Sequence, residues 1–176
     1  MEPLDILSKF LVSGRTDWKG RPFLHPGPWS AATNSHTLIA YKGKIVEPVK
    51  GSPDIPFLNK GYAEYHLKLR VKHLQEWAGP CGMTMTTDEK VKKIHEGVIV
   101  GVNIDRRKLA YLLEYFPAEE VIVWDSTSMV TVKSIGIMGG KWRATLAGLE
   151  SPAHDCYNLY SPAVDPFDLM LSLGDD

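Results

Sequence analysis

Apolar positions fall into the same order twice along this chain: a helical stripe first, then a series of short period-two runs. In the first occurrence Pro3 suits a first helical turn, and Leu4, Leu7, Phe10 and Leu11 recur at helical spacing until Ser13-Gly14. This predicts a helix over about 3–13. A Gly- and Pro-rich stretch to Pro28 reads as loop. Trp29–Thr33 and Thr37–Tyr41 then read as strands about the polar turn Asn34-Ser35-His36, with Lys42-Gly43-Lys44 turning into Ile45-Val46. In the second occurrence Val98, Val100 and Val102 alternate as a strand. Asp105 is placed to cap a helix whose Leu109, Leu112, Leu113 and Phe116 form one face. Strands are expected at 120–124, 129–133 and 141–146, separated by turns at Asp125-Ser126 and Gly139-Gly140.

Two helix-plus-meander halves, 3–46 and 98–149, therefore flank an insertion at about 47–97. Within it, 62–77 fits both periods, and its length favours helix. Thr86 and Glu89 have capping-box spacing and predict a further short helix, so the insertion is expected to be mostly helical. The fold class expected is α+β: one domain over 1–150, with two helices on one face of an antiparallel sheet, then a tail over 151–176.

Composition changes this picture little. At 176 residues, 44% hydrophobic and 23% charged, the chain is an ordinary globular one, which excludes disordered and low-complexity classes. No apolar run reaches the roughly 20 residues of a membrane span. Two cysteines, Cys81 and Cys156, make no disulfide framework, and the start lacks the basic segment of a secretory signal; a cytoplasmic location is expected. Charge is uneven: the tail holds five Asp and no Lys or Arg, which leaves the first 150 residues with 20 basic and 16 acidic groups.

Local sequences add a resemblance. Ala32-Thr33-Asn34-Ser35-His36-Thr37-Leu38 resembles the A-T-D-G-H-R-L strand-turn-strand segment of the bacterial DNA polymerase III beta-subunit sliding clamp. Val102-Asn103-Ile104 through Leu112-Leu113, Glu120-Val121 and Asp125-Ser126-Thr127-Ser128-Met129-Val130 resemble the clamp's last half-domain, with its D-S-x-S-x-V turn. The resemblance covers 4–46 and 98–149 and implies a DNA-clamp-like domain. A family clamp carries three such domains per chain and closes a ring of six from two chains, so a ring of this chain implies six copies and a homo-oligomer. The resemblance places a partner-binding pocket at the Thr33–Leu38 turn and the closing strand, near Leu38, Leu146 and Leu149; Arg143 and Thr145 depart from the apolar pattern there.

The resemblance also makes double-stranded DNA a candidate partner, gripped through phosphates without base readout. Arg106, Arg107 and Lys108 open the second helix, at the positive end of its dipole, where cations are unfavourable and a missing negative ligand is suggested. Lys9 and Arg15, on or just after the first helix, complete the candidate DNA-binding set. A solvated basic face, offset by Asp105 and Glu114, is the plain alternative. The insertion interleaves Lys68, Arg70, Lys72, Lys90, Lys92 and Lys93 with Tyr62, Tyr65 and Trp77, a composition suited either to stacking on single strands or to a small helical hairpin. In the tail, Leu169, Leu171 and Leu173 look like the leucine-rich peptides by which polymerases and clamp loaders dock into a clamp, with Asp168 where Gln is usual; packing on the chain's own core is the alternative.

Metal and catalytic readings find no support, since His73, His95, His154 and the cysteines are scattered and no phosphate-binding loop is present. No cofactor and no metal is expected. The function expected is that of a non-catalytic, clamp-like binding protein, of phage type in its single-domain economy, acting on DNA or on replication proteins: polymerase, clamp or clamp loader. The alternative is an interaction module or inhibitor that reaches host replication or defence machinery through its insertion and tail.

Overall fold

The computed structural model describes residues 1–60, 62–79, 96–130 and 132–150, and the backbone of 157–158. The elements in chain order are α1 (Pro3–Leu7), β1 (Phe23–His25), β2 (Trp29–Thr33), β3 (Thr37–Lys42), α2 (Pro56–Asn59), β4 (His66–Arg70), α3 (Val71–Ala78), β5 (Glu96–Ile99), β6 (Val102–Asp105), α4 (Arg106–Tyr115), β7 (Glu120–Asp125), α5 (Thr127–Val130), β8 (Ser134–Gly139), β9 (Trp142–Ala147) and β10 (Tyr157–Asn158).

Seven strands form one antiparallel sheet in the order β1-β2-β3-β9-β8-β7-β4, and β10-β5-β6 form a second, smaller one. The two meanders join where β3 pairs β9, with Thr37 opposite Leu146 and Tyr41 opposite Trp142. Residues from both halves of the chain thus share one sheet, and the architecture is the expected α+β.

Side-chain parity divides that sheet into two faces. On one, Ile39, Leu67, Leu69, Val121, Val123, Ile135, Ile137, Ala144 and Leu146 are buried beneath Ile6, Leu7 and Phe10, Leu74 of α3, and Leu109, Leu112 and Leu113 of α4. Phe10 meets Tyr111 and Tyr115 edge-on at ring separations of 5.4 and 6.2 Å, and the Tyr111 hydroxyl donates to the Lys9 carbonyl, which ties the first helix to α4. On the other face, Ile55, Phe57 and Leu58 close over Trp29, Ala31, Ala40 and Trp124.

Four local expectations are corrected. The first helix stops at Leu7; the Ser8 hydroxyl bonds back to the Leu4 carbonyl, and the chain continues in shorter turns, with Lys9 N–H to Ile6 and Phe10 N–H to Leu7. The ambiguous 62–77 stretch holds both periods in succession, strand β4 and then helix α3, and β4 joins the main sheet beside β7. The described part of the insertion therefore holds α2, the edge strand β4 and α3, with β4 built into the main sheet. The valine run is a hairpin: β5 and β6 are joined by Val100 and Gly101 at φ +46° and +84°, the two positive values a tight two-residue turn requires. Finally, the described residues of 129–133 form no strand. The helical turn α5 covers Thr127–Val130, and the strand begins at Ser134. The capping-box helix and the acidic tail lie outside the described residues. Among those described, no helix is long and apolar enough to cross a membrane.

Candidate partner-binding site

The β2–β3 turn is closed by its own side chains. Thr33 Oγ1 donates to the Thr37 carbonyl (2.9 Å) and accepts from Ser35 N–H (3.2 Å). Asn34 Oδ1 accepts from Thr37 N–H (3.0 Å) and from His36 Nδ1 (2.8 Å). Ser35 sits at φ +84°, the left-handed conformation for which a clamp's Gly at this place is suited. The turn is then fastened to the closing strand, because Ala147 N–H donates to the His36 carbonyl at 2.7 Å.

Beside it lies a pocket of about 110 Å³ lined by Thr33, Ser35, His36, Thr37, Leu38, Val130, Val132, Ser134, Thr145 and Ala147. Small-molecule sites run to roughly 300–1,000 Å³, so this one has room for a side chain of a partner and not for a cofactor. Its wall is hydroxyl-bearing: buried Ser126 Oγ lies 2.8 Å from Ser134 Oγ and 3.3 Å from Thr145 Oγ1. Its mouth is apolar, with Val132 55% exposed. His36 is half-buried, and desolvation followed by the Lys108 charge lowers its pKa from the ordinary 6.5, against an upward pull from Asp105. The N-terminus of α4 thus stands next to this turn.

Of the residues expected at the pocket, Leu38 lines it. Leu146 is fully buried on the opposite face of the sheet, and Leu149 is half-buried with its N–H on the Asn103 carbonyl of β6. Parity explains Leu146: Thr145 is the residue opposite Leu38. Arg143 lies elsewhere, spanning to the Leu58 and Lys60 carbonyls at 2.8 and 2.7 Å with its guanidinium 5.1 Å from the Trp29 ring. Val130 and Val132 also line the pocket, which a strand over 129–133 gives no reason to expect. Leu169, Leu171 and Leu173 lie outside the described residues, as do Cys81, His95, His154 and Cys156.

The expected DNA-binding residues are scattered in their roles. Arg106 donates to the Trp77 carbonyl at 2.8 Å and stacks over that indole. Arg107 lies 3.4 Å from the Asp105 carboxylate, which also caps α4 by accepting from Arg107 N–H at 3.0 Å. The charge conflict at this helix start is thus answered from within the protein. Lys9 Nζ stands 5.5 Å from the Tyr115 ring. Arg15 is exposed and paired with Asp17, a contact that raises its own pKa and lowers that of Asp17. Lys108 makes no ion pair among the described residues.

The chain is similar to solved DNA polymerase III beta subunits. One, from Thermotoga maritima, matches at a TM-score of 0.49 and 9% identity over 85% of this chain and 62% of its own. Another, from Eubacterium rectale and assigned as a DNA polymerase III beta subunit, matches at a TM-score of 0.46 and 11% identity over 96% of this chain and 65% of its own. In both cases the chain spans less than two thirds of the neighbour's length. No protein-family model matches the chain, and no curated protein matches it significantly.

Proposed function

We propose that this chain is a non-catalytic, clamp-like binding module that acts on replication proteins, and that its partner site is the pocket beside the Asn34-Ser35-His36 turn. One observation carries the reading: two of the segments that resemble the sliding clamp, about 32–38 and 125–130, are far apart in sequence and border the same pocket, through Thr33, Ser35, His36 and Leu38 from the first and Val130 from the second. An apolar mouth over hydroxyl walls suits a leucine side chain presented by an extended peptide. The test is a labelled peptide of the Q-L-x-L-F type, titrated against the whole chain by fluorescence anisotropy. Saturable binding that Leu38→Asp and Val132→Asp each weaken at least tenfold supports the site. Binding that ignores both substitutions removes it.

A second reading, encirclement of duplex DNA by a ring of chains, rests on Lys9 and Lys108, neither of which forms an ion pair among the described residues. Its first test is mass in solution: a closed hexamer favours it, and a monomer favours peptide binding alone.

A further inference from the structure

Among the described residues, the face of the large sheet that carries Trp124 is only partly covered. Ile55, Phe57 and Leu58 close over one region of it, with Phe57 stacked on Trp124 at 5.4 Å. Tyr62 extends this cover to the His66 end of β4; towards Lys68 and Arg70 the described residues leave a groove of about 600 Å³, bordered by Lys68, Arg70 and His73 and by Glu120, Ile122 and Met138. The register explains its chemistry. Lys68 pairs with Ile122, which pairs with Met138, so two half-buried apolar side chains lie between the strand edge and the interior of the sheet. Lys68 and Arg70 are exposed, and neither makes a hydrogen bond or ion pair among the described residues. An apolar floor beside two exposed cations, against the single carboxylate of Glu120 opposite Arg70, suits an occupant that is both apolar and acidic.

The chain carries such a segment itself. Phe167, Leu169, Leu171 and Leu173 alternate with Asp168, Met170 and Ser172, a period-two pattern with one fully apolar face, and Asp165 and Asp168 supply carboxylates with no Lys or Arg after residue 150. The tether spans a large part of the molecule. From Asn158, the last described residue, to Pro166 is eight residues, a reach of up to about 26–29 Å. A chain of this size has a radius of gyration of about 16 Å.

We propose that residues 165–173 dock in cis as an extended peptide in this groove, with the alternate leucines on Ile122 and Met138 and the Asp165 and Asp168 carboxylates against Lys68 and Arg70. This occupant is distinct from the peptide of the Leu38 pocket and stands whether or not that reading does.

The experiment is hydrogen exchange of the intact chain, read over 66–70, 120–124 and 136–140. Leu169→Ser with Leu171→Ser, and separately Lys68→Glu with Arg70→Glu, are expected to speed exchange there about tenfold while the global unfolding midpoint stays put. Adding Asp165→Lys and Asp168→Lys to the Lys68→Glu, Arg70→Glu chain is expected to restore protection. Unchanged exchange in the tail variant overturns the proposal, as does failure of the charge swap. Protection that fades on dilution overturns the cis arrangement and assigns the groove to the tail of a second copy.

Discussion

His36 links the turn to the solvent. Its folded pKa lies below the ordinary 6.5 because burial and Lys108 disfavour the cation. The unfolded chain therefore binds the proton first as pH falls, so stability is full above about 6.5 and declines below it until the folded ring is also protonated. Urea unfolding of the native chain should show this decline as pH falls below about 6.5, and His36→Gln should flatten it; an unchanged slope in that variant would assign the effect to another group. Arg143 carries a different load. Its two bonds, to the Leu58 and Lys60 carbonyls, hold the segment that closes over Trp29, and burial lowers its own pKa. Hydrogen bonds from a charged donor contribute about 1.5–3 kcal/mol each, less when half-exposed, so Arg143→Met should cost about 2 kcal/mol, seen as a lower urea midpoint at constant slope.

Among the elements, β8 shows where sequence reading ends. Ser134–Gly139 holds two glycines in six residues, so the sequence assigns it no strand, and the β-branched run just before it reads as the strand instead. The reason is tertiary. A Cβ at Gly136 would stand 2.5 Å from the Trp124 indole and 2.9 Å from the Phe57 ring, so glycine is required for those two rings to stack across β8. Gly136→Ala should accordingly destabilise by about 1–3 kcal/mol, through overpacking and without any backbone strain, and Trp124→Leu in the same chain should recover part of the loss in a thermal melt. Helix α4 was legible because its signal is local: Asp105 caps it, and Leu109, Leu112 and Leu113 are its buried stripe, as spacing requires. The pocket was legible by half. The Thr33–Leu38 turn is a contiguous motif, whereas the side that Thr145 presents depends on β3–β9 register, which only the folded sheet fixes.

At the scale of the molecule the question is whether the helical layer can hold a duplex. Helices α1, α3 and α4 carry Lys72, Arg106, Arg107 and Lys108 against Asp5, Glu76 and Glu114, which is close to balance. Of the five expected DNA contacts, Arg106 is spent on the Trp77 carbonyl, Arg107 on Asp105 and Arg15 on Asp17, so Lys9 and Lys108 are the members of that set left for phosphates among the described residues. Affinity for duplex falls with log salt at a slope of about −0.9 per phosphate neutralised. Two lysines per chain thus predict a slope near −2 for a monomer, and about −11 if six chains close around one duplex. Lys9→Gln with Lys108→Gln should abolish whichever slope is measured and leave the unfolding midpoint in place. Arg106→Ala should act the other way round, lowering the midpoint as the Trp77 contact is lost while the slope stays. If instead Arg106→Ala flattens the salt dependence at constant stability, the guanidinium leaves Trp77 for the nucleic acid, and the helix start is a DNA contact after all.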